Sequence, residues 1–153
     1  MAVAERNAER AVSFGVIGAG TMGRGIARWA AQAGLAVTLY DTAPDAVASA
    51  LKLMRKDLAK LIERGRLTED DADKMIARIQ PAGNLGAFAA CDLIVEEIVE
   101  DLEIKIALFR SLEAIVSDRA ILPTNTSSLS VAALAAGCRV PSRVAGCSAE
   151  SFA

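Results

Sequence analysis

Val16-Ile17-Gly18-Ala19-Gly20-Thr21-Met22-Gly23 decides how this chain is read. Residues 12–17 form a short apolar run of the kind expected from a buried first strand, and it stops at Gly18. From residue 21 to 33, Met22, Ile26, Trp29, Ala30 and Ala33 recur at helical spacing, with Gly34 placed to end a helix. A GxGxxG between a strand and a helix has a mechanism. Gly18 permits the tight turn, Gly20 lets the backbone approach a pyrophosphate, and Gly23 lets the helix lie close on the sheet. The first helical N–H groups, at Thr21, Met22 and Gly23, then face the phosphates with the positive end of the helix dipole.

Moving outward, residues 35–40 are a second β-rich run ending at Asp41. Roughly 20 residues past the glycines is where a dinucleotide-binding unit carries an acid for the adenosine ribose hydroxyls. A carboxylate there repels a 2′-phosphate, and residues 42–45 hold no Lys or Arg to rescue it. The cofactor expected is therefore NAD rather than NADP. Asp41 is also suited simply to cap its own turn. Met22 and Trp29 lie on the apolar stripe of the first helix, so their side chains are expected in the core.

The remaining pattern continues the alternation. Helical spacing runs over residues 45–64, with Val47, Leu51, Met54, Leu58, Leu61 and Ile62 on one face, and Thr68 with Asp71 resembles a capping box for a helix to 78. A short strand is expected at 79–82, where Pro81 limits its pairing, then one or two helical turns at 85–90. A strand over 93–99 is interrupted by Glu96 and Glu97. Further elements follow as a helix at 101–116, a strand at 120–123, a helix at 131–136 and a last strand from 143 to 146. Strand and helix in alternation give βαβ units around a mostly parallel sheet with helices on both faces, the doubly wound Rossmann class. One domain is expected over 12–146, between a polar lead-in (1–11) and a short tail (147–153).

Composition narrows the function. The 153 residues carry a net charge of −2 with basic residues dispersed, which argues against a nucleic-acid partner. No apolar run reaches the ~18 residues of a membrane span, and residues 1–10 do not resemble a signal peptide. A soluble, cytoplasmic protein is expected. Cys91, Cys138 and Cys147 lack CxxC spacing and histidine is absent, so no metal site is expected and the thiols read as inert. The missing histidine also removes the commonest general base.

In a doubly wound sheet, ligands sit beyond the carboxyl ends of the strands. That edge should gather Gly18, Asp41, residues 99–101 and residues 124–128. The stretches Val16-Ile17-Gly18-Ala19-Gly20-Thr21-Met22-Gly23-Arg24-Gly25-Ile26-Ala27, Val99-Glu100-Asp101-Leu102-Glu103-Ile104-Lys105 and Thr124-Asn125-Thr126-Ser127-Ser128-Leu129-Ser130 resemble the NAD-binding domain of 3-hydroxyacyl-CoA dehydrogenases. The resemblance covers residues 12 to 146. It implies oxidation of 3-hydroxyacyl-CoA to 3-oxoacyl-CoA by NAD, an acyl-CoA substrate and a homodimeric full-length parent.

The resemblance also implies roles. Glu100 and Lys105 match contacts to the ribose and nicotinamide side of NAD. Asn125 and Ser127 match the reaction centre, where Ser127 would hydrogen-bond the substrate oxygen. Simpler readings stand beside these, since acids at 100–103 suit a helix start and residues 125–128 suit a turn and N-cap before Val131. Lys52, Lys56, Lys60 and Arg64 share a helix face, which reads either as a coenzyme A phosphate contact or as a solvated surface.

Family members continue the last strand as Gly-x-His-Phe-Phe-Asn-Pro, with that histidine as general base. In this chain the order is Gly146-Cys147-Ser148, and Ser148 takes its place. The expectation is a shortened member that binds NAD without turnover. Two alternatives are another NAD(P)-linked 3-hydroxy acid dehydrogenase, of the 3-hydroxyisobutyrate type, and a non-enzymatic NAD-binding module.

Overall fold

A computed structural model describes residues 11–126 and 130–148. Six parallel strands form one sheet in the order β3-β2-β1-β4-β5-β6, with β1 Ser13–Ile17, β2 Ala36–Tyr40, β3 Ile79–Pro81, β4 Leu93–Glu96, β5 Leu122–Asn125 and β6 Val144–Cys147. The order reverses between β1 and β4, which is the switch point where ligands of open α/β sheets bind. Helices α1 Thr21–Gln32, α2 Ala46–Glu63, α3 Glu69–Ala77, α4 Leu102–Glu113 and α5 Val131–Ala136 connect and cover the strands. This is the doubly wound fold expected from the alternation.

Strand alternation divides the core in two. Phe14, Val16, Val37, Leu39 and Val95 join α1, α2 and α3 on one face. Ile17, Ile94 and Leu122 join Phe88, α4 and α5 on the other. Successive side chains point to opposite faces of a strand, so each inner strand feeds both layers and reads as a continuous apolar run.

Local chemistry sets the ends of the elements. Thr68 caps α3 by accepting from the Asp71 N–H at 3.1 Å, and Asp101 caps α4 by accepting from Ile104 N–H at 3.0 Å. Pro81 closes β3 at the outer edge of the sheet, where a missing N–H costs no ladder bond.

Among the boundaries that differ from the sequence reading, three have a local cause. β4 ends at Glu96 instead of 99, because the Glu96 carboxylate accepts from the Ile98 N–H at 2.6 Å and turns the chain. β5 lies two residues later than expected. A turn from Ser117 holds Ala120, so Thr124 and Asn125 belong to the strand. Arg143 precedes β6 in a short 3-10 turn, its buried guanidinium donating to the carbonyls of Ala120 and Ser117.

Candidate functional site

The glycine loop crosses from β1 to α1 at the switch point. Gly18 has φ +109°, a left-handed conformation that favours glycine, and its N–H donates to the Tyr40 carbonyl at 2.8 Å. A side chain on Gly18 would strike the backbone carbonyl of Glu97, and one on Gly23 would strike the carbonyl of Gly18. Both positions are closed by the fold itself. Gly20 differs, since a Cβ built there meets nothing within 4 Å. It is the N-cap of α1, without a side-chain cap and without an acidic residue in the first turn. The leading N–H groups of a helix have no intrahelical acceptor, so this open face suits an anion and a bare backbone can approach it.

Asp41 follows β2 and serves two loops at once. Its Oδ2 accepts from the Ala19 N–H at 2.8 Å and its Oδ1 from the Ala43 N–H at 2.8 Å. A carboxylate has about four acceptor sites, so two remain for hydroxyls. Turn capping and ribose binding are thus compatible at this residue. A cleft of about 550 Å³ opens beside it, lined by Tyr40, Asp41, Val47, Leu51, Pro81 and Ala82 among others. Its size and mixed polar and apolar lining fit the adenosine end of a dinucleotide.

At the ends of β4 and β5 a buried ionic network replaces backbone chemistry. Lys105 on α4 is fully buried, and its Nζ lies 3.0 Å from Glu96 Oε2 and 3.2 Å from Glu100 Oε1. Glu96 is also fully buried and accepts from Thr124 Oγ1 at 2.6 Å. Glu100, partly exposed, accepts from Thr126 Oγ1 at 2.6 Å. Each of these two carboxylates meets both a cation and a hydroxyl, which is the condition for burying charge. Lys105 thereby joins α4, the loop after β4 and the end of β5.

Glu97 faces the other way. Asn125 Nδ2 donates to its Oε1, and Asn125 pairs in register with Cys147 on β6. Burial pushes the Glu97 carboxyl above its ordinary value; Glu96 and Glu100 add to the rise, while Asn125 and Lys105 oppose it. Burial first, then the fields of Glu97 and Glu96, pushes the Cys147 thiol up to about 11. The edge therefore runs Gly18, Glu97, Asn125, Cys147 across β1, β4, β5 and β6, with Ser148 exposed just beyond. Ser127 lies outside the described residues.

The family model for the NAD-binding domain of 3-hydroxyacyl-CoA dehydrogenase matches residues 13–148. The chain belongs to this family. Its match is the NAD-binding domain, and NAD is the cofactor that goes with it. Among curated relatives, the 3-hydroxyadipyl-CoA dehydrogenase of Escherichia coli K12 is 42% identical over 131 residues, covering 86% of this chain and 28% of that protein. A probable 3-hydroxybutyryl-CoA dehydrogenase of Deinococcus radiodurans is 43% identical over 135 residues, covering 88% of this chain and 48% of that protein. A crystal structure of the 3-hydroxybutyryl-CoA dehydrogenase from Escherichia coli K12 superposes with a TM-score of 0.86 at 40% identity, over 90% of this chain and 29% of that one. The chain thus spans less than half the length of these relatives.

Within this dehydrogenase domain, one expectation needs correction. Met22 and Trp29 are 42% and 37% exposed, not core. The buried stripe of α1 is Gly23, Ile26, Ala27, Ala30 and Ala31, mostly small residues that let the helix sit close to the sheet. Met22 is left at the open first turn, and Trp29 rests its ring on Phe14 at a centroid distance of 6.4 Å. Lys52, Lys56, Lys60 and Arg64 are all exposed, and Lys60 pairs with Asp57 at 3.9 Å. Sequence reasoning missed Glu96 and Glu97 as site residues. The signal was present in two acids at the end of an apolar strand, followed by Lys105 four residues before the buried Phe109. No described helix is long and apolar enough to cross a membrane.

Proposed function

We propose that these residues seat NAD for the oxidation of 3-hydroxyacyl-CoA to 3-oxoacyl-CoA, as part of a homodimeric enzyme. The observation that carries this reading is Asp41, which braces the glycine loop while keeping acceptor sites beside a cleft of adenosine size. Gly18, Gly20, Thr21, Met22 and Gly23 hold the pyrophosphate through backbone N–H groups, and Asp41 holds the adenosine ribose. Glu100, positioned by Lys105 and Thr126, meets the ribose on the nicotinamide side. We assign Asn125 and Ser127 to the substrate oxygen, a role in which a serine hydroxyl both donates and accepts as alcohol becomes ketone.

Bound NAD supplies the hydride acceptor. The proton of the substrate hydroxyl needs a base, and these 153 residues contain no histidine. Ser148, at the position of the family's base, is too weak an acid to replace imidazole near neutral pH. The 153 residues therefore bind NAD without turning substrate over. Free thiols at Cys91, Cys138 and Cys147 fit a reducing compartment, and we place the protein in the cytoplasm.

Calorimetry with NADH and NADPH tests the cofactor assignment. NADH should bind and NADPH should not compete, because Asp41 repels the 2′-phosphate. Asp41→Ala should weaken NADH by ~1.5–3 kcal/mol, the worth of charge-assisted hydrogen bonds. Equal affinity for the two cofactors would remove Asp41 from the assigned role.

A further inference from the structure

Glu97 has no part in this seating of NAD, yet it occupies the centre of the edge. Its Cβ lies 3.2 Å from where a side chain on Gly18 would begin, so it directly borders the phosphate loop. Its carboxylate meets the Asn125 amide at the end of the neighbouring strand. An ionised carboxylate only accepts, whereas an amide has one nitrogen that donates and one oxygen that accepts. Charged Glu97 therefore admits one of the two amide orientations, with Nδ2 toward Glu97 and Oδ1 at the opposite end of the amide.

Resting on the dinucleotide reading, we propose that Glu97 is a positioning residue whose charged form fixes Asn125 with Oδ1 as the acceptor for a hydrogen-bond donor on the nicotinamide half of the cofactor. The donor is a ribose hydroxyl or the carboxamide N–H. A proton on Glu97 cancels the selection, because a carboxylic acid donates as well as accepts and the amide is then free to turn over. Burial raises the pKa of Glu97, which brings that loss closer to neutral pH. The ionisable groups whose fields reach it are Glu96 on β4, Glu100 in the following loop and Lys105 on α4, and Glu97 in turn acts on Cys147 of β6. The Cys147 thiol, pushed up to about 11, stays neutral through the acid and neutral range. Comparing Glu97→Gln with wild type across pH subtracts the other groups.

The test uses this chain as it stands, with two readouts. The first is the Asn125 side-chain amide signal in NMR, assigned by its loss in Asn125→Asp and followed from about pH 8 down to about pH 4, past the ordinary carboxyl value of 4.5 from which Glu97 is raised. In wild type it should move with a single protonation, and in Glu97→Gln it should not titrate. The second is affinity for NADH and for ADP-ribose. At the alkaline end of that range the Glu97→Gln chain should bind about 3- to 10-fold more weakly than wild type, the scale of one hydrogen bond. The gap should close as wild type is acidified. A penalty on both ligands assigns the donor to the ribose, and a penalty on NADH alone assigns it to the carboxamide. An Asn125 signal indifferent to Glu97, or equal affinities at the alkaline end, overturns the proposal. Wild type that binds neither ligand refutes the dinucleotide reading and the ligand role together, while the amide titration still separates that failure from the absence of the clamp.

Discussion

Lys105→Met leaves the Glu96 carboxylate in a dry interior with its cation gone. The remaining donors are Ile98 N–H and Thr124 Oγ1, each at 2.6 Å. Methionine has nearly the length of the lysine stem, so the cavity contribution is small and the charge decides the outcome. Removing one partner of a buried ion pair costs ~3–5 kcal/mol, because the other charge is left unpaired. Against a usual domain stability of ~5–15 kcal/mol that is a large share, and at this chain length it lowers Tm by roughly 6–20 °C. Urea unfolding followed by circular dichroism at neutral pH measures it. The double variant Glu96→Gln/Lys105→Met removes the stranded charge, and the glutamine oxygen still accepts from Ile98 N–H. It should recover at least half of the loss, since replacing both members of a buried pair is often near neutral. A Lys105→Met cost below ~1 kcal/mol, or a double variant as unstable as the two singles summed, would refute the reasoning.

Other outcomes follow from the same edge. Gly20→Val should abolish NADH binding in calorimetry while the circular dichroism spectrum stays native, because a Cβ there meets only open space; Gly23→Val should instead unfold the domain by driving a side chain into the Gly18 carbonyl. Glu97→Gln should be more stable than wild type at about pH 8, with the gain fading toward about pH 4. A carboxyl whose folded pKa is raised contributes stability below its ordinary value of 4.5 and loses it as pH rises through the folded value; a gain that grows toward acid would contradict the sign. Mixed with NAD and 3-hydroxybutyryl-CoA, the 153 residues should produce no NADH absorbance. Ser148→His alone should not restore it, since a base contributes its ~10²–10⁴-fold only when held within reach of the hydroxyl. Turnover by either chain would show the chemistry to be misplaced.

The part of this site made from backbone was legible in the sequence. Glycine at 18, 20 and 23 carries its reason in its missing Cβ, and Asp41 is recognisable by its distance from those glycines. Both follow from local order along one βαβ unit. The ends of β4 and β5 were harder because their residues are defined by partners distant in sequence. Nothing local to Lys105 shows that the fold sets its ammonium on Glu96 of β4, which also takes the Thr124 hydroxyl from β5. Glu96 and Glu97 read as an interruption of a strand, although alternation sends one into the α4 layer and the other toward Asn125. The placement of β5 depended on a turn at residues 117–120, whose carbonyls are held by Arg143 from more than 20 residues away. Trp29 was misjudged because hydrophobicity alone set its face. The close approach of α1 demanded small residues, which took the inner stripe.

A buried ion pair is a costly way to join a helix to a sheet, since apolar residues of the same shape would hold as well or better. Its position gives the reason. Lys105 directs one contact to Glu96 at the strand end and another to Glu100 in the loop, and Glu100 in turn takes the Thr126 hydroxyl beyond β5. An apolar residue at 105 could pack but could not orient a carboxylate. The neighbouring Glu97 repeats the pattern, because its burial disfavours its own charge while that charge selects one orientation of Asn125. On the other half Asp41, half-buried, braces the loop by accepting from two backbone N–H groups. Stability is therefore given up on one half of the edge only, the half built from side chains at the ends of β4 and β5. Glu97→Gln should gain stability there and bind NADH more weakly, a pairing that no purely structural role for the residue produces.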